Sequence, residues 1–344
     1  MMADLRLYQT ETAGRITLTR PQALNALSHQ MCRDITAALA RWRDDPSVAL
    51  VLIDAEGERA FCAGGDLQQM YETGIRGDYA PARAFWADEY RMNAAIAEYP
   101  KPVVTLLQGF TMGGGVGLGC HASTRVVCET SQIALPEVAI GLVPDVGGSH
   151  LLARAPGSIG EYLAATAARM GPGDAIHAGF ADLYIPHEFW IDITTRLEDT
   201  AGLAILDAMA EPAPAGPIKA ARAEIDATFA GTPGAIVAAL EARGSAFATA
   251  ALAALRRASP LAVACGLANI RDQRDHGGTI REALASEYRF THRAPEKSDF
   301  LEGIRAAIID KDKAPRWKHA RLEDVTERDI AEMRAPLGPD ELQL

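Results

Sequence analysis

The chain lacks the residues and runs that several functional classes require. Its five cysteines, at 32, 62, 120, 128 and 265, are scattered and form no Cys-x-x-Cys pair, so neither a disulfide framework nor a zinc site is indicated. A reducing, cytoplasmic location is the expectation from that usage. No run approaches the roughly 18 uncharged apolar residues that a membrane-spanning helix needs, and Met1 to Thr10 lacks the basic start and apolar stretch of a signal peptide. A soluble protein with no membrane partner is expected. Basic surplus is also missing: the net charge is -11, and no basic stripe with interleaved aromatics offsets it, which argues against nucleic acid. No Gly-x-Ser-x-Gly run occurs, so a serine hydrolase is disfavoured. The fragment His187-Glu188 fails as a zinc motif because Ile191 stands where a second histidine belongs. No metal site is expected.

What is present is apolar material in quantity. Of 344 residues 48% are hydrophobic and 23% charged, enough for one large domain or for a domain with a smaller helical part. In the first half, short β-branched runs alternate with helical patterns, the signal for strands joined by helical crossovers. Gly14 to Thr19 reads as a strand. Ser28 can cap a helix in which Met31, Ile35, Leu39 and Trp42 share a face and which stops near Pro46. Val48 to Asp54, Val103 to Gln108 and Thr124 to Cys128 read as further strands, and Pro81 to Glu98 as a helix with proline in its first turn. A glycine-rich turn at 62 to 66 is followed by a variable-looking stretch to Tyr79. After Pro156 the chain turns helical and alanine-rich. Pro212 to Pro217 is the best linker, since three prolines and a glycine break any helix there. The expected division is a core at 1–195, holding the catalytic site, and a mainly helical region at 196–344 that completes the fold.

Four features carry chemistry. Ala60-Phe61-Cys62-Ala63-Gly64-Gly65-Asp66 follows a strand and precedes a helical segment, where small residues let a ligand approach the backbone; a tight turn is the alternative. Cys62 has no fixed histidine partner and reads as a small packed residue. In Gly109 to Gly119, three consecutive glycines at a helix start turn several amides toward a ligand. Gly117-Leu118-Gly119-Cys120-His121-Ala122 only approximates a dinucleotide fingerprint, because it sits inside the helix rather than in its entry turn. His121, about one turn into that helix, reads as a packing residue. The third feature, Leu135 to Gly148, sets Glu137 and Asp145 among apolar, proline and glycine residues, where desolvation raises a carboxyl pKa or demands a partner; capping of neighbouring amides is the other reading. The fourth is Glu89, which shares the apolar stripe of Phe85, Met92 and Ile96, so it serves a buried arginine or a purpose.

Together these segments resemble the crotonase (enoyl-CoA hydratase/isomerase) superfamily. Arg20-Pro21-Gln22-Ala23-Leu24-Asn25-Ala26-Leu27 is similar to its start, Phe61 to Asp66 to its first oxyanion loop, and Met112 to Gly117 to its second. The resemblance implies an α/β fold of stacked ββα units with a helical C-terminal region. It also implies a CoA thioester as substrate, no separate cofactor, and a carbonyl oxygen held by the amides of Gly65 and Gly114, with Ala63 and Asp66 beside the substrate. Hydratases of this family place two glutamates around water; one position matches Glu137, the other is Gly117 here, so hydration loses one of its paired acids. What remains is similar to the 3-hydroxyisobutyryl-CoA hydrolase branch. Glu89-Tyr90, Pro136-Glu137, Pro144 to Gly148, Ser259-Pro260, Glu287-Tyr288-Arg289, Phe300 to Ala306 and Ile309 to Trp317 carry that likeness, which is weakest across 190 to 258. By resemblance Glu137 is the principal catalytic carboxylate, Asp145 orients water, Glu137 or the substrate, and Glu89 accepts a hydrogen bond from the substrate hydroxyl. The competing functions are an enoyl-CoA hydratase or isomerase using Glu137 alone, and a non-catalytic acyl-CoA-binding subunit. Lys311, Lys313, Arg316 and Lys318 form the densest basic cluster, read as a solvated tail rather than a phosphate site. Oligomeric state is open, and a homo-oligomer is one arrangement the sequence allows.

Overall fold

A computed structural model describes residues 4–344. The strands are β1 (Leu5–Gln9), β2 (Ala13–Leu18), β3 (Leu50–Ala55), β4 (Ala60–Cys62), β5 (Val103–Leu107), β6 (Phe110–Met112), β7 (Thr124–Val127), β8 (Gln132–Ala134) and β9 (Leu183–Tyr184). The helices that matter below are α1 (His29–Arg43), α2 (Gln68–Gly74), α3 (Ala80–Ala97), α4 (Gly114–Gly119), α5 (Gly148–Arg154) and α6 (Ile159–Thr166). Later helices are given by their residues.

The chain forms two compact units that interleave along the sequence. The first comprises residues up to Gly65, Asp88–Ala134 and Met170–Lys219; the second comprises Asp66–Ala87, Leu135–Arg169 and Ala220–Leu344. The expected division at 195 coincides with no edge of either unit. Its physical reason is the helix Trp190–Thr200, whose Trp190, Ile193 and Leu197 pack on the sheet residues Ala13, Leu50, Leu52, Val104 and Leu106. Leu206, further on, joins the same core.

All nine strands of the described residues lie in the first unit. Six form a sheet in the order β1-β2-β3-β5-β7-β9, antiparallel only between β1 and β2. Strand side chains alternate between faces, so while Ala13 faces Trp190, the neighbouring Gly14 turns to the other side. There a Cβ on Gly14 would lie 2.5 Å from the Trp42 ring of α1, which leaves room for hydrogen only. Helix α1 forms as its sequence predicts: Ser28 accepts the Met31 amide at 3.2 Å, and Met31, Ile35, Leu39 and Trp42 are buried.

The remaining strands form a parallel three-stranded sheet, β4-β6-β8. None of these three is among the strands expected from the sequence, and β1, β9 and α2, the last within the variable-looking stretch before Tyr79, are likewise additional to the expected elements. Their placement is informative, because β4 runs into the loop at 62 to 65, β6 runs into α4, and β8 ends just before Leu135-Pro136-Glu137 in the chain. Helix α4 stops at Gly119 with Cys120 as its cap, so His121 lies beyond the helix rather than inside it.

The proline-rich segment at 212–217 is packed rather than free. A Cβ on Gly173 would meet the Pro214 carbonyl oxygen at 1.9 Å, and the Asp174 carboxylate accepts the amides of Ile218 at 3.2 Å and Lys219 at 3.0 Å. The first unit ends directly after it. The second unit is helical throughout its described elements, with α5 and α6 packed against Pro260–His276 and with α5 also meeting Ile280–Lys297. The basic cluster at 311–318 belongs to an ordered loop, not a tail. Arg305 holds that loop through Asp310 at 2.6 Å and Asp312 at 2.8 Å, while Lys311 and Lys313 stay exposed.

Candidate active site

In the first unit the site is built from backbone outward. The 62–65 loop is fastened to the segment before α1: the Ala63 amide donates to Leu24 O at 3.0 Å, and the Leu27 amide donates to Gly64 O at 2.8 Å. That segment is itself held by a buried amide. Asn25 Oδ1 accepts the Arg20 amide at 2.9 Å, and its Nδ2 donates to Glu56 O at 3.0 Å and Ala60 O at 2.9 Å. The Arg20-to-Leu27 run, noted above only as a resemblance, thus works as a splint for the first glycine loop. Asn25 and Leu24 both take left-handed backbone angles to do so, with φ of 55° and 51°.

The second glycine loop meets the first across β4 and β6. Gly113, with φ 53° and ψ -120°, caps α4 in a conformation only glycine adopts readily, and Gly114 opens the helix. A Cβ on Gly114 would lie 3.4 Å from the Gly65 nitrogen and 2.5 Å from Glu89 Oε1. Gly65, Gly114 and Glu89, three residues proposed from sequence, therefore converge on one point. Glu89 is 2% exposed, and Phe85, Met92 and Ile96 of the same helix face are buried with it. Gly115 is small for a different reason, since a Cβ there would meet the Cys62 carbonyl oxygen at 2.1 Å. Ala63 is partly buried, whereas Asp66 is exposed and opens the second unit.

Cys62 sits inside this loop as a packed side chain. Its Sγ lies 3.8 Å from Gly64 O, and burial pushes the thiol up to about 12, far from thiolate at neutral pH. All five cysteines are buried and free. We expect thiol reagents to label none of them quickly in the native protein and all five after denaturation, with activity unchanged by brief alkylation. Mass spectrometry of the native digest checks this, and rapid loss of activity on labelling of Cys62 would contradict it.

In the second unit Glu137 and Asp145 occupy consecutive turns. Glu137 begins a single 3-10 turn, Glu137–Ile140, and is 5% exposed; Asp145 is 4% exposed. The carbonyl of Glu137 accepts the Leu142 amide at 3.1 Å, so the turn is closed by backbone. Its outer side is braced by the C-terminal motifs. Ser259 donates its amide to Val138 O at 2.9 Å and its hydroxyl to Asp299 Oδ2 at 2.6 Å, and a Cβ on Gly303 would meet the Ile140 carbonyl oxygen at 2.2 Å. Asp299 carries no local signal of this role in the sequence, since Ser259 lies 40 residues away. The work of these motifs here is to hold the Glu137 turn. Among the described residues no group of three or more His, Cys, Asp or Glu is arranged to hold a metal ion.

Comparison with known proteins identifies the family. The family model described as enoyl-CoA hydratase/isomerase matches residues 13–333. Curated relatives include the proteins named 3-hydroxyisobutyryl-CoA hydrolase, mitochondrial, from Gallus gallus, 36% identical, and Rattus norvegicus, 38% identical; each alignment covers 99% of this chain and 91% of the relative. Two solved structures superimpose closely. One, described as an enoyl-CoA hydratase from Rhodobacter sphaeroides, has TM-score 0.95 and 55% identity, covering 99% of this chain and all of that one. The other, described as a carnitinyl-CoA dehydratase from Mycobacterium thermoresistibile, has TM-score 0.94 and 40% identity over 99% and 98% of the two chains. The fold is the crotonase-like α/β architecture expected from the motifs, and the chain belongs to the enoyl-CoA hydratase/isomerase family.

Proposed function

We propose that this protein hydrolyses the thioester of a short-chain 3-hydroxyacyl-CoA, with 3-hydroxyisobutyryl-CoA as substrate and 3-hydroxyisobutyrate and free CoA as products. The observation that carries the reading is the convergence of the Gly65 amide nitrogen, Gly114 and the buried Glu89 carboxylate on one point. Two amides at loop and helix start suit a thioester oxygen that becomes negative, and each such donor is worth ~3 kcal/mol in the transition state. An acid beside them suits a substrate that carries a hydroxyl close to its carbonyl. The names of the full-length relatives support the same substrate.

In the proposed reaction an oxygen nucleophile adds to the carbonyl carbon and the π pair moves onto oxygen, against the amides of Gly65 and Gly114. Collapse of that intermediate breaks the C–S bond, and the CoA thiolate leaves and takes up a proton. Glu137 acts either by removing the proton of the attacking water or by attacking itself, to give a mixed anhydride that water then cleaves. Asp145 orients the reacting groups. The hydratase and dehydratase descriptions of the two solved structures favour a second reading, addition of water to an enoyl-CoA. Against it stands Gly117, buried on α4, where the second acid of such a pair would be required.

A thiol-release screen separates these readings. Hydroxylated short acyl-CoAs should be cleaved on the order of 10²-fold faster than their unhydroxylated counterparts, because only the hydroxyl donates a hydrogen bond to the Glu89 carboxylate. Glu89→Ala should erase most of that ratio. Rapid loss of enoyl absorbance without thiol release would overturn the hydrolase assignment, and an unchanged preference in Glu89→Ala would remove Glu89 from substrate recognition.

A further inference from the structure

We infer that Glu287 is a positioning residue for this reaction: its carboxylate clamps the turn that carries Asp145 and so fixes where the Asp145 side chain lies. The inference rests on the reading of Asp145 as part of the catalytic apparatus. Glu287 projects from the helix Ile280–Lys297 and is 0% exposed. Its Oε2 accepts the Gly147 amide at 2.7 Å, and its Oε1 accepts both the Ser149 amide at 2.9 Å and the Ser149 hydroxyl at 2.5 Å. Three donors from one short stretch thus converge on one carboxylate.

The stretch needs holding. Val146, a buried β-branched residue, has φ 55°, and Gly147 follows with φ 77°. Two successive left-handed residues reverse the chain directly after Asp145, and the Gly148 amide closes the turn on Asp145 O at 2.6 Å. A β-branched side chain stays in that region only where its surroundings over-determine it. The donors on Glu287 come from the residues immediately after this reversal, Gly147 as the cap of α5 and Ser149 within its first turn, whose amides the helix cannot satisfy itself. Release of the clamp lets Val146 relax, and the peptide plane that relaxes is the one joined to Asp145.

The identity of the residue supports a role beyond filling space. Burial pushes the Glu287 carboxyl up to about 7, and the three donors pull it back toward the ionised form. An apolar side chain of that volume carries no such desolvation cost but accepts no hydrogen bond. Glutamine keeps the shape and turns one of the two acceptor atoms into a donor facing another donor.

The test is a double-mutant cycle on thiol release, with wild type, Glu287→Gln, Asp145→Asn and the double variant, alongside their melting midpoints. We expect Glu287→Gln to lower kcat on the order of 10²-fold, the loss typical of a displaced catalytic group, with KM changed by less than about 3-fold. The double variant should be no slower than Asp145→Asn alone. Losses that multiply in the double variant, or a wild-type kcat in Glu287→Gln while Asp145→Asn is slow, would overturn the clamp and leave Asp145 in place. A wild-type kcat in Asp145→Asn would instead remove Asp145, and the clamp with it. Should Glu287→Gln not fold, Ser149→Ala deletes only the hydroxyl donor; a kcat loss of about 10-fold that vanishes in the Asp145→Asn background is then the supporting result, and no loss the contrary one.

Discussion

Glu137→Gln should bring turnover of 3-hydroxyisobutyryl-CoA close to zero, lowering kcat on the order of 10⁴-fold, while the protein still folds and still binds the CoA ester. Glutamine matches glutamate in shape, but it can neither remove a proton from water nor form an anhydride. The fold should tolerate the change because the turn at 137–140 is closed by the Glu137 carbonyl and braced by Ser259 and Gly303, none of which uses the carboxylate. Steady-state thiol release measures the loss, and a rate within about 10-fold of wild type would exclude Glu137 from the chemistry. The same residue decides between the two routes. In a single turnover in ¹⁸O-water with enzyme in excess, label found in the Glu137 peptide identifies an anhydride cleaved at the Glu137 carbonyl, whereas label confined to the released acid places the attack of water at the substrate carbonyl, on the thioester or on the anhydride.

Gly114→Ala should be the second most damaging change, with kcat reduced about 10² to 10³-fold, the usual effect of disabling an oxyanion donor. The added methyl must displace Glu89 Oε1, 2.5 Å away, and it crowds the Gly65 nitrogen at 3.4 Å. Oxyanion amide, partner amide and hydroxyl acceptor are thus disturbed together, so the preference for hydroxylated substrates should weaken along with kcat. Gly115→Ala makes the informative contrast, because its methyl strikes the Cys62 carbonyl oxygen at 2.1 Å, which is backbone and cannot swing aside. We expect that neighbour to reduce the yield of folded protein instead. A Gly114→Ala enzyme with normal kcat and a raised KM would show that Gly114 contributes to binding alone.

The parts of this molecule legible in its sequence are those whose signals are local. Helix α1 declared itself through a capping serine and four apolar residues on one face, and β3, β5 and β7 through β-branched runs. Strands β4, β6 and β8 have three residues each, too few to display a period of two, and all their pairing is with distant segments. The two acids at 137 and 145 stood out because carboxylates are scarce in apolar, glycine-rich surroundings. Glu287 did not, since its partners Gly147 and Ser149 lie 140 and 138 residues away. The left-handed Val146 was equally hidden, because valine gives no local hint of positive φ. Family resemblance, carried by several ordered motifs, supplied the substrate class that no single glycine pattern specifies.

Interleaving of the two units has a consequence for biosynthesis. The second unit begins with Asp66–Ala87, yet that segment's packing partners emerge from the ribosome much later: Arg83 donates to the carbonyl of His292, 209 residues further on, and the Trp86 ring packs on Phe300 with centroids 5.3 Å apart. At 5 to 20 residues per second, that wait is on the order of 10 to 40 seconds. During it Arg83 and Trp86 of the nascent α3 wait for these two partners. Folding of this chain therefore cannot finish in N-to-C order, and the interval before residue 300 appears is when a holding chaperone has the most to shield.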